Sequence, residues 1–316
     1  MKNNKLFCQT AIAAVLSGLA FSQTAISAST ADIIFVVDES GSMSGEHAWL
    51  QGMVTTLDSE LNGAGVSNNR YGIVGFGGSS THLEGHGHDA GGNPFGTASQ
   101  ASTAVNTLVT SGGTEDGYDG INAAFNYNLR SDAATNIILV TDEDRDVVNA
   151  ALNFSGIQSA FGSNNALLNV VVDAGFSDAS SGDALGVDAS RNAYLADGAG
   201  GFTSTAGGVV GNGDGTTIED YVDLAFATGG ASWDLNLLRA GGLTADSFTR
   251  AFIDIKVAEI TQQVPVTPTN PQEPTSPIDD SPAPANPAAV PVPAALPLMG
   301  FGLAGLGWFG RNRKTT

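Results

Sequence analysis

Asp38, Ser40 and Ser42 stand at alternate positions in Asp38-Glu39-Ser40-Gly41-Ser42, directly after the apolar run Ile33-Ile34-Phe35-Val36-Val37. A carboxylate and two hydroxyls on one short turn make a donor set for a hard divalent cation, which prefers oxygen ligands. Two further segments offer the same chemistry. Gly112-Gly113-Thr114 brings a hydroxyl, and Val140-Thr141-Asp142 ends a second apolar run with a carboxylate. Either acidic loop alone is equally well explained as a cap or turn, where Asp and Ser are common. The three loops together make a far more specific pattern, because their oxygens can converge on one ion.

Convergence requires a scaffold that brings the three loops to one place. Short β-rich apolar runs alternate with helical patterns along the chain, the signature of a mostly parallel sheet with helices on both faces, a doubly wound α/β fold. Ile33 to Val37, Tyr71 to Phe76, Asn136 to Thr141 and Leu167 to Val172 read as strands. Trp49, Leu50, Met53, Val54, Leu57 and Leu61 recur at helical spacing. Thr97 to Thr110, Asp116 to Leu129 and Val147 to Phe161 are expected to be helical, as is a last helix from about Thr244 that carries Phe248, Phe252 and Ile255. Ala174 to Thr217 has an excess of Gly, Asp and Ser without period and reads as an inserted loop region near a sheet edge, with a short hairpin around Ala193-Tyr194-Leu195. In an open α/β sheet, ligands bind beyond the carboxyl ends of the strands. Asp38 and Asp142 each follow an apolar strand directly, so both belong at that rim.

Asp38-x-Ser40-x-Ser42, Thr114 and Asp142 together resemble, in motif, order and separation, the metal-ion-dependent adhesion site of the von Willebrand factor type A domain. The resemblance covers Ala31 to Ile260; within it, Glu219 to Ala227 and Ala231-Ser232-Trp233 resemble the family's penultimate helix and final strand. It implies that Ser40 and Ser42 bind the ion directly, that Thr114 or Asp142 joins them according to conformational state, and that Asp38 acts mostly through water. Neutral hydroxyls leave the ion electrophilic, with a position open to a partner's carboxylate. Mg²⁺ is the expected occupant, with Ca²⁺ or Mn²⁺ as alternatives. Gly41 and Gly113 are expected to provide the tight turns. Where this family often has Gly after the aspartate, Glu143 stands, followed by Asp144 and Asp146; with Glu115, Asp116 and Asp119 beside Thr114 the rim is expected to be unusually anionic, favouring Ca²⁺ or extra weak ion sites.

One rival constellation exists. His82, His86 and His88, with Glu84 and Asp89, lie in a Gly-rich loop at a spacing that can hold Zn²⁺. The plainer expectation is an exposed polar loop, because nothing in the sequence anchors a rigid tetrahedral shell. Asn212-Gly213-Asp214-Gly215 fails as an EF-hand loop, since Val210 and Tyr221 stand where the first Asp and the last Glu are needed. Gly175-Phe176-Ser177-Asp178-Ala179 misses the nucleophile-elbow pattern at its last position. No lysine-bearing phosphate loop is present, as Lys256 is the only lysine outside the two ends of the chain.

Those ends read as processing signals. Lys2 and Lys5, the apolar run from Ala11 to Phe21 and the small residues through Ala28 form a secretory signal peptide, residues 1–28. Val290-Pro291-Val292-Pro293-Ala294, an apolar helix and Arg311-Asn312-Arg313-Lys314 resemble a PEP-CTERM sorting tail of the Val-Pro-x-Pro-Ala kind, residues 290–316, which an exosortase processes. A plain membrane anchor is the alternative, since Ala294 to Gly310 is at the short limit for a transmembrane helix. Between domain (31–260) and tail, residues 261–289 are a Pro-rich disordered linker; eleven of the twelve prolines lie at or after Pro265. The one cysteine, Cys8, falls in the signal peptide, so disulfides and thiolate chemistry are excluded from the exported chain.

Removing both ends takes away Lys2, Lys5, Arg311, Arg313 and Lys314, so 12 basic residues become 7 against 32 acidic ones and the formal charge becomes −25. Such a surface gathers divalent cations and repels nucleic acid. The expected function is that of a non-enzymatic, secreted adhesion module at the surface or in the extracellular matrix or biofilm of a Gram-negative bacterium. Its cation would bind an acidic group on a protein or polysaccharide partner, and it would touch the inner membrane only transiently through its tail. A matrix protein self-associating through calcium on its acidic surface is the second reading, and a zinc hydrolase built on the histidine loop the third.

Overall fold

The computed structural model describes residues 28–263; the signal segment, nearly all of the Pro-rich linker and the C-terminal tail lie outside the described residues. The chain runs β1 (Ala31–Asp38), α1 (Ser44–Gly63), β2 (Arg70–Phe76), β3 (His86–His88), β4 (Phe95–Gly96), α2 (Ala98–Ala104), α3 (Gly117–Ala124), β5 (Ala134–Val140), α4 (Phe154–Asn164) and β6 (Ala166–Val172). Six short strands follow: β7 (Ala174–Ser177), β8 (Asp183–Ala184), β9 (Gly186–Asp188), β10 (Asn192–Ala196), β11 (Phe202–Ala206) and β12 (Val209–Gly213). The domain closes with α5 (Asp223–Thr228), β13 (Ala231–Asp234), α6 (Leu235–Arg239) and α7 (Gly242–Gln262).

The main sheet has the order β11-β10-β9-β13-β6-β5-β1-β2-β3, with β4 also on β2. Its centre, β13 to β2, is parallel, and both margins are antiparallel. Because successive side chains of a strand point to opposite faces, β1 feeds two cores at once. Ile33, Phe35 and Val37 share one core with Leu50, Met53, Val54 and Leu57 of α1 and Phe248 and Phe252 of α7. Ile34 and Val36 face Tyr118 and Ile121 of α3, Phe161 of α4 and Leu224 of α5. Helices on both faces of a mostly parallel sheet are the architecture expected from the alternation of elements.

Expectations need correction in three respects. The helix expected over Val147 to Phe161 starts only at Phe154, behind Asn153 as N-cap. The preceding segment is held by tertiary bonds, since the Asp116 carboxylate accepts the backbone N–H groups of Val148 and Asn149 at 3.1 Å. The helices expected from Thr97 and from Asp116 are also shorter: α2 gives way to a 3₁₀ turn at Val105–Thr107, and α3 ends at Ala124.

The third correction is the Gly-, Asp- and Ser-rich stretch, which is mostly strand. β9, β10 and β11 extend the main sheet beyond β13, while β12, β7 and β8 form a second, three-stranded sheet. Pairing partners rather than strand propensity decide this, and the hairpin expected at Ala193-Tyr194-Leu195 is present as β10 with β11. Tyr194 stacks on the buried Trp233 at 5.5 Å.

At the amino edge of the parallel strands, Asp32 is fully buried and accepts two hydrogen bonds from Arg70, at 2.9 and 2.6 Å, and two from Arg130, at 2.8 Å. Lys256 of α7 is likewise fully buried, bonded to Asn169 of β6 and to Glu259 at 2.7 Å, which fastens the last helix to the sheet through polar contacts. Removing one partner of a buried charge network leaves the others unpaired, at a cost of about 3 kcal/mol. Asp32→Ala should therefore lower the urea midpoint by that free energy with an unchanged denaturant slope. A shift no larger than that of an exposed Asp→Ala control would show the network to be neutral.

Candidate functional site

β1 and β5 are neighbours in register, with Val37 opposite Val140, so Asp38 and Thr141 leave the sheet side by side at its carboxyl edge. Asp38 is wholly buried; its Oδ1 accepts the Ser40 N–H at 2.7 Å and its Oδ2 accepts the Thr141 hydroxyl at 2.7 Å. Burial pushes the Asp38 carboxyl up to about 6, against the pull of the donors from Ser40 and Thr141. Outward from it, Ser40 Oγ lies 3.1 Å from Ser42 Oγ, and the Ser42 hydroxyl donates to Asp142 Oδ1 at 2.9 Å. Four of the five candidate ligands, Asp38, Ser40, Ser42 and Asp142, thus form one connected set of oxygens. The fifth is on the rim but faces elsewhere: the exposed Thr114 hydroxyl donates to the Gly113 carbonyl at 2.8 Å.

The turns are made by different glycines from those expected. Gly41 and Gly113 have ordinary backbone angles and open space where a Cβ would be. Gly112, at φ 138°, would press a Cβ against the backbone of Gly77 and of Gly78, the latter its partner in an isolated antiparallel bridge. Gly77, at φ 76°, lets Asp38 and Glu115 close over it, a Cβ there falling 3.2 Å from Asp38 Oδ1 and 3.0 Å from Glu115 Cγ.

The anionic rim divides into spent and unspent charge. Asp116 caps α3 and takes Arg145 at 2.7 Å, Asp119 accepts the Gly85 N–H at 2.7 Å, and Asp144 accepts the Thr216 N–H at 3.0 Å. Glu115 is different. It is buried beside Asp38, Asp142, Glu143 and Asp146, and burial first, then these four charges, push its carboxyl up to about 8. A second cation reaches the rim beside Arg145: Arg239 of α6 donates to Asp142 Oδ2 at 2.8 Å and to Glu46 Oε1 at 2.7 Å. Two hydroxyls and two carboxylates beside a buried acid held largely protonated suit a hard cation, whose charge would relieve the repulsion. The sequence reading counted Glu115 only among the acids of the rim, without its burial, and missed Arg239, which no local signal marks because it arrives from a distant helix.

The histidine loop is not the exposed polar loop expected. β3 pairs antiparallel with β2, setting Ile73 opposite His88 and Gly75 opposite His86, and this holds both histidines in place. His82, His86 and His88 gather on the buried Glu39 carboxylate, their ligand-capable atoms and that of Glu39 all within 4.8 Å of one another. Glu84 and Asp89 are not members of the group; the acidic one is Glu39, between Asp38 and Ser40 in the first loop. Asp214, rejected as part of an EF-hand, lies with Glu143 and Asp144 in a second group of carboxylates.

Residues 32–163 match the von Willebrand factor type A domain, and residues 289–314 match the PEP-CTERM protein-sorting motif. The chain carries a von Willebrand factor type A domain together with a PEP-CTERM sorting motif. Proximal thread matrix protein 1 from the mussel byssus is a similar solved structure, 14% identical, with TM-score 0.33 over 46% of this chain and 36% of that one. A von Willebrand factor type A structure from Catenulispora acidiphila is 18% identical, with TM-score 0.30 over 46% of this chain and 33% of that one. The chain therefore spans about a third of the length of each. A comparison with curated proteins finds no match. Domains of this class are in general interaction modules rather than enzymes, and commonly bind a divalent cation. The sorting motif implies export, exosortase processing and delivery to the surface of a Gram-negative bacterium. Among the described residues no helix is long and apolar enough to cross a membrane; the apolar tail segment lies outside them.

A carboxyl raised from 4.5 to about 8 in the folded state binds more protons there than in the unfolded chain across that interval. Stability contributed below it is therefore lost as pH rises through it. In EDTA the thermal midpoint should fall as pH rises over this range, and Glu115→Gln should flatten much of the fall. An equally steep fall in the variant would assign the effect to overall charge.

Proposed function

We propose that the chain is a surface-sorted adhesion module in which Asp38, Ser40, Ser42, Thr114 and Asp142 hold one divalent cation, Mg²⁺ before Ca²⁺ or Mn²⁺, that binds an acidic group on a protein or matrix polysaccharide. The observation that carries this reading is the connected set of Asp38, Ser40, Ser42 and Asp142 oxygens at the carboxyl edge of the parallel sheet. Ser42 is its exposed end and Asp38 its buried one. Thr114 would turn its hydroxyl from the Gly113 carbonyl toward the ion. The cation would supply a Lewis-acidic point for a carboxylate; the protein's own groups position it and hold its charge in balance. An overall charge of −20 makes an ion the natural intermediary for an acidic partner, which the bare surface would repel.

Self-association through calcium is a second reading, and the Glu143, Asp144 and Asp214 group is the observation that favours it. It would place ion binding on the acidic surface rather than on the serine-bearing turn.

Titration calorimetry separates the two. Asp38→Ala and Asp142→Ala should each weaken Mg²⁺ binding by at least about tenfold and abolish EDTA-reversible retention on extracellular matrix prepared from the producing cells. Unchanged Mg²⁺ affinity in both variants, with the fold intact by circular dichroism, would remove the proposed site. Calcium-dependent sedimentation of the chain, lost with Asp214→Asn and not with Asp38→Ala, would favour self-association.

A further inference from the structure

Glu39 is buried completely, and three imidazoles converge on it. His82 Nδ1 lies 3.0 Å and His86 Nε2 3.1 Å from Glu39 Oε2, and His88 Nε2 lies 3.3 Å from Glu39 Oε1. The three rings crowd one another, with centroids 4.6, 4.9 and 6.0 Å apart.

The tautomers of two of the neutral rings follow from their outer partners. His86 Nδ1 is 2.8 Å from the Glu84 carbonyl oxygen, which only accepts, so the proton sits on Nδ1 and Nε2 keeps a lone pair. His88 Nδ1 is 2.6 Å from the Thr107 hydroxyl oxygen, whose own proton is committed to the Ala104 carbonyl at 2.7 Å, so His88 too is a donor at Nδ1. Both Nε2 atoms are buried, and neither has a hydrogen-bond partner, although each stands close to the carboxylate. Two lone-pair nitrogens thus face carboxylate oxygens, acceptor against acceptor. Positive charge is needed among them, either a further proton on the rings, which Glu39 favours at His86, or a metal ion.

We propose that Glu39, His82, His86 and His88 bind a single transition-metal ion of the zinc class, in a centre distinct from the oxygen-lined rim and structural in role. Three nitrogens and one oxygen are the ligands of tetrahedral zinc, whose bonds of about 2.0–2.1 Å place neighbouring donor atoms about 3.3 Å apart. His82 and His86 already stand near that edge length from Glu39 Oε2, and His88 stands at it from Oε1, so a small turn of the carboxylate would bring all three to one oxygen. Outer hydrogen bonds from Nδ1 to a carbonyl or hydroxyl orient metal-bound imidazoles in the way seen at His86 and His88. The donor set is complete with four protein ligands, which leaves no open position for substrate and sets aside the zinc hydrolase reading.

The ion would staple the loops that carry the rim. Glu39 separates Asp38 from Ser40, its Oε1 accepts the Val109 N–H at 2.8 Å, and its carbonyl accepts the Ser111 N–H at 2.8 Å, just ahead of Gly112-Gly113-Thr114. His82 lies beyond Gly78, which bridges to Gly112. One ion would thus lock three loops in a domain that has no cysteine.

The test is metal analysis of the full chain after exposure to one equivalent of Zn²⁺ and gel filtration. One retained zinc is expected in the wild type and in Asp38→Ala, with loss in His86→Gln and in Glu39→Gln. Co²⁺ in place of Zn²⁺ should give the intense visible absorption of a tetrahedral centre in the wild type and in Asp38→Ala. Because the wild-type spectrum and zinc stoichiometry need no variant to fold, a wild type that retains no zinc and shows only weak octahedral cobalt bands would overturn the proposal. So would full zinc retention in both folded ligand variants. Mg²⁺ binding lost in Asp38→Ala while zinc is retained would show two independent centres; failure of Mg²⁺ binding alone would sink the rim reading and leave the zinc centre standing.

Discussion

Asp38 and Glu39, adjacent in sequence, are both buried without exposure where β1 leaves the sheet, and the rest of the domain is arranged around offsetting those two charges. An isolated carboxylate in such a place would cost several kcal/mol. The two side chains diverge. Asp38 turns toward β5 and takes hydroxyl and amide donors, while Glu39 turns toward β2 and β3 and takes imidazoles and the Val109 amide. A single turn therefore feeds two chemically different environments, one built of oxygens and one mostly of nitrogens. Hard and borderline cations sort between such sets by ligand type.

Positions around this turn are held from several directions. His47 of α1 bonds the Asp38 carbonyl at 2.8 Å, and the Glu39 N–H is given to the Phe76 carbonyl of β2 at 2.8 Å. From the far side, Arg239 bridges Asp142 and Glu46, so α6, which leads directly into α7, touches the rim through one guanidinium. Negative charge gathered by the sheet edge is thus balanced partly by a residue close in sequence to the last helix. Lys256 repeats the device deeper in the same helix, where its buried ammonium is paired with Glu259 and Asn169 and lowered in pKa by burial.

The acidic exterior, the sorting motif and the interaction-module fold point to one physical setting. A strongly negative protein delivered to a cell surface meets divalent cations outside the cell, and its long-range field concentrates them. Its exported part is expected to contain no disulfide, so rigidity rests on packing and on buried ion networks such as Asp32 with Arg70 and Arg130.

The parallel core, the strand ends carrying Asp38 and Asp142 and the amphipathic face of α1 were legible in the residues themselves, because apolar periodicity of 2 and 3.6 is a local property of the chain. The glycine-rich stretch after β6 was not. Its strands are weakly marked and exist because β13 offers an edge to β9, and because β7 finds partners in β12 and β8. The oxygen motif could be recognised as a spaced set of residue types, yet nothing local said that Thr114 would face its own loop while Glu115 turned inward. Glu39 was the least visible of all. In sequence it is a spacer between two motif residues, 43 positions from His82; only the pairing of β2 with β1 on one side and β3 on the other brings a buried carboxylate under three imidazoles. Residue types and spacing thus determined which chemistries the chain had available, and the sheet register, a long-range property, decided which side chains share a site.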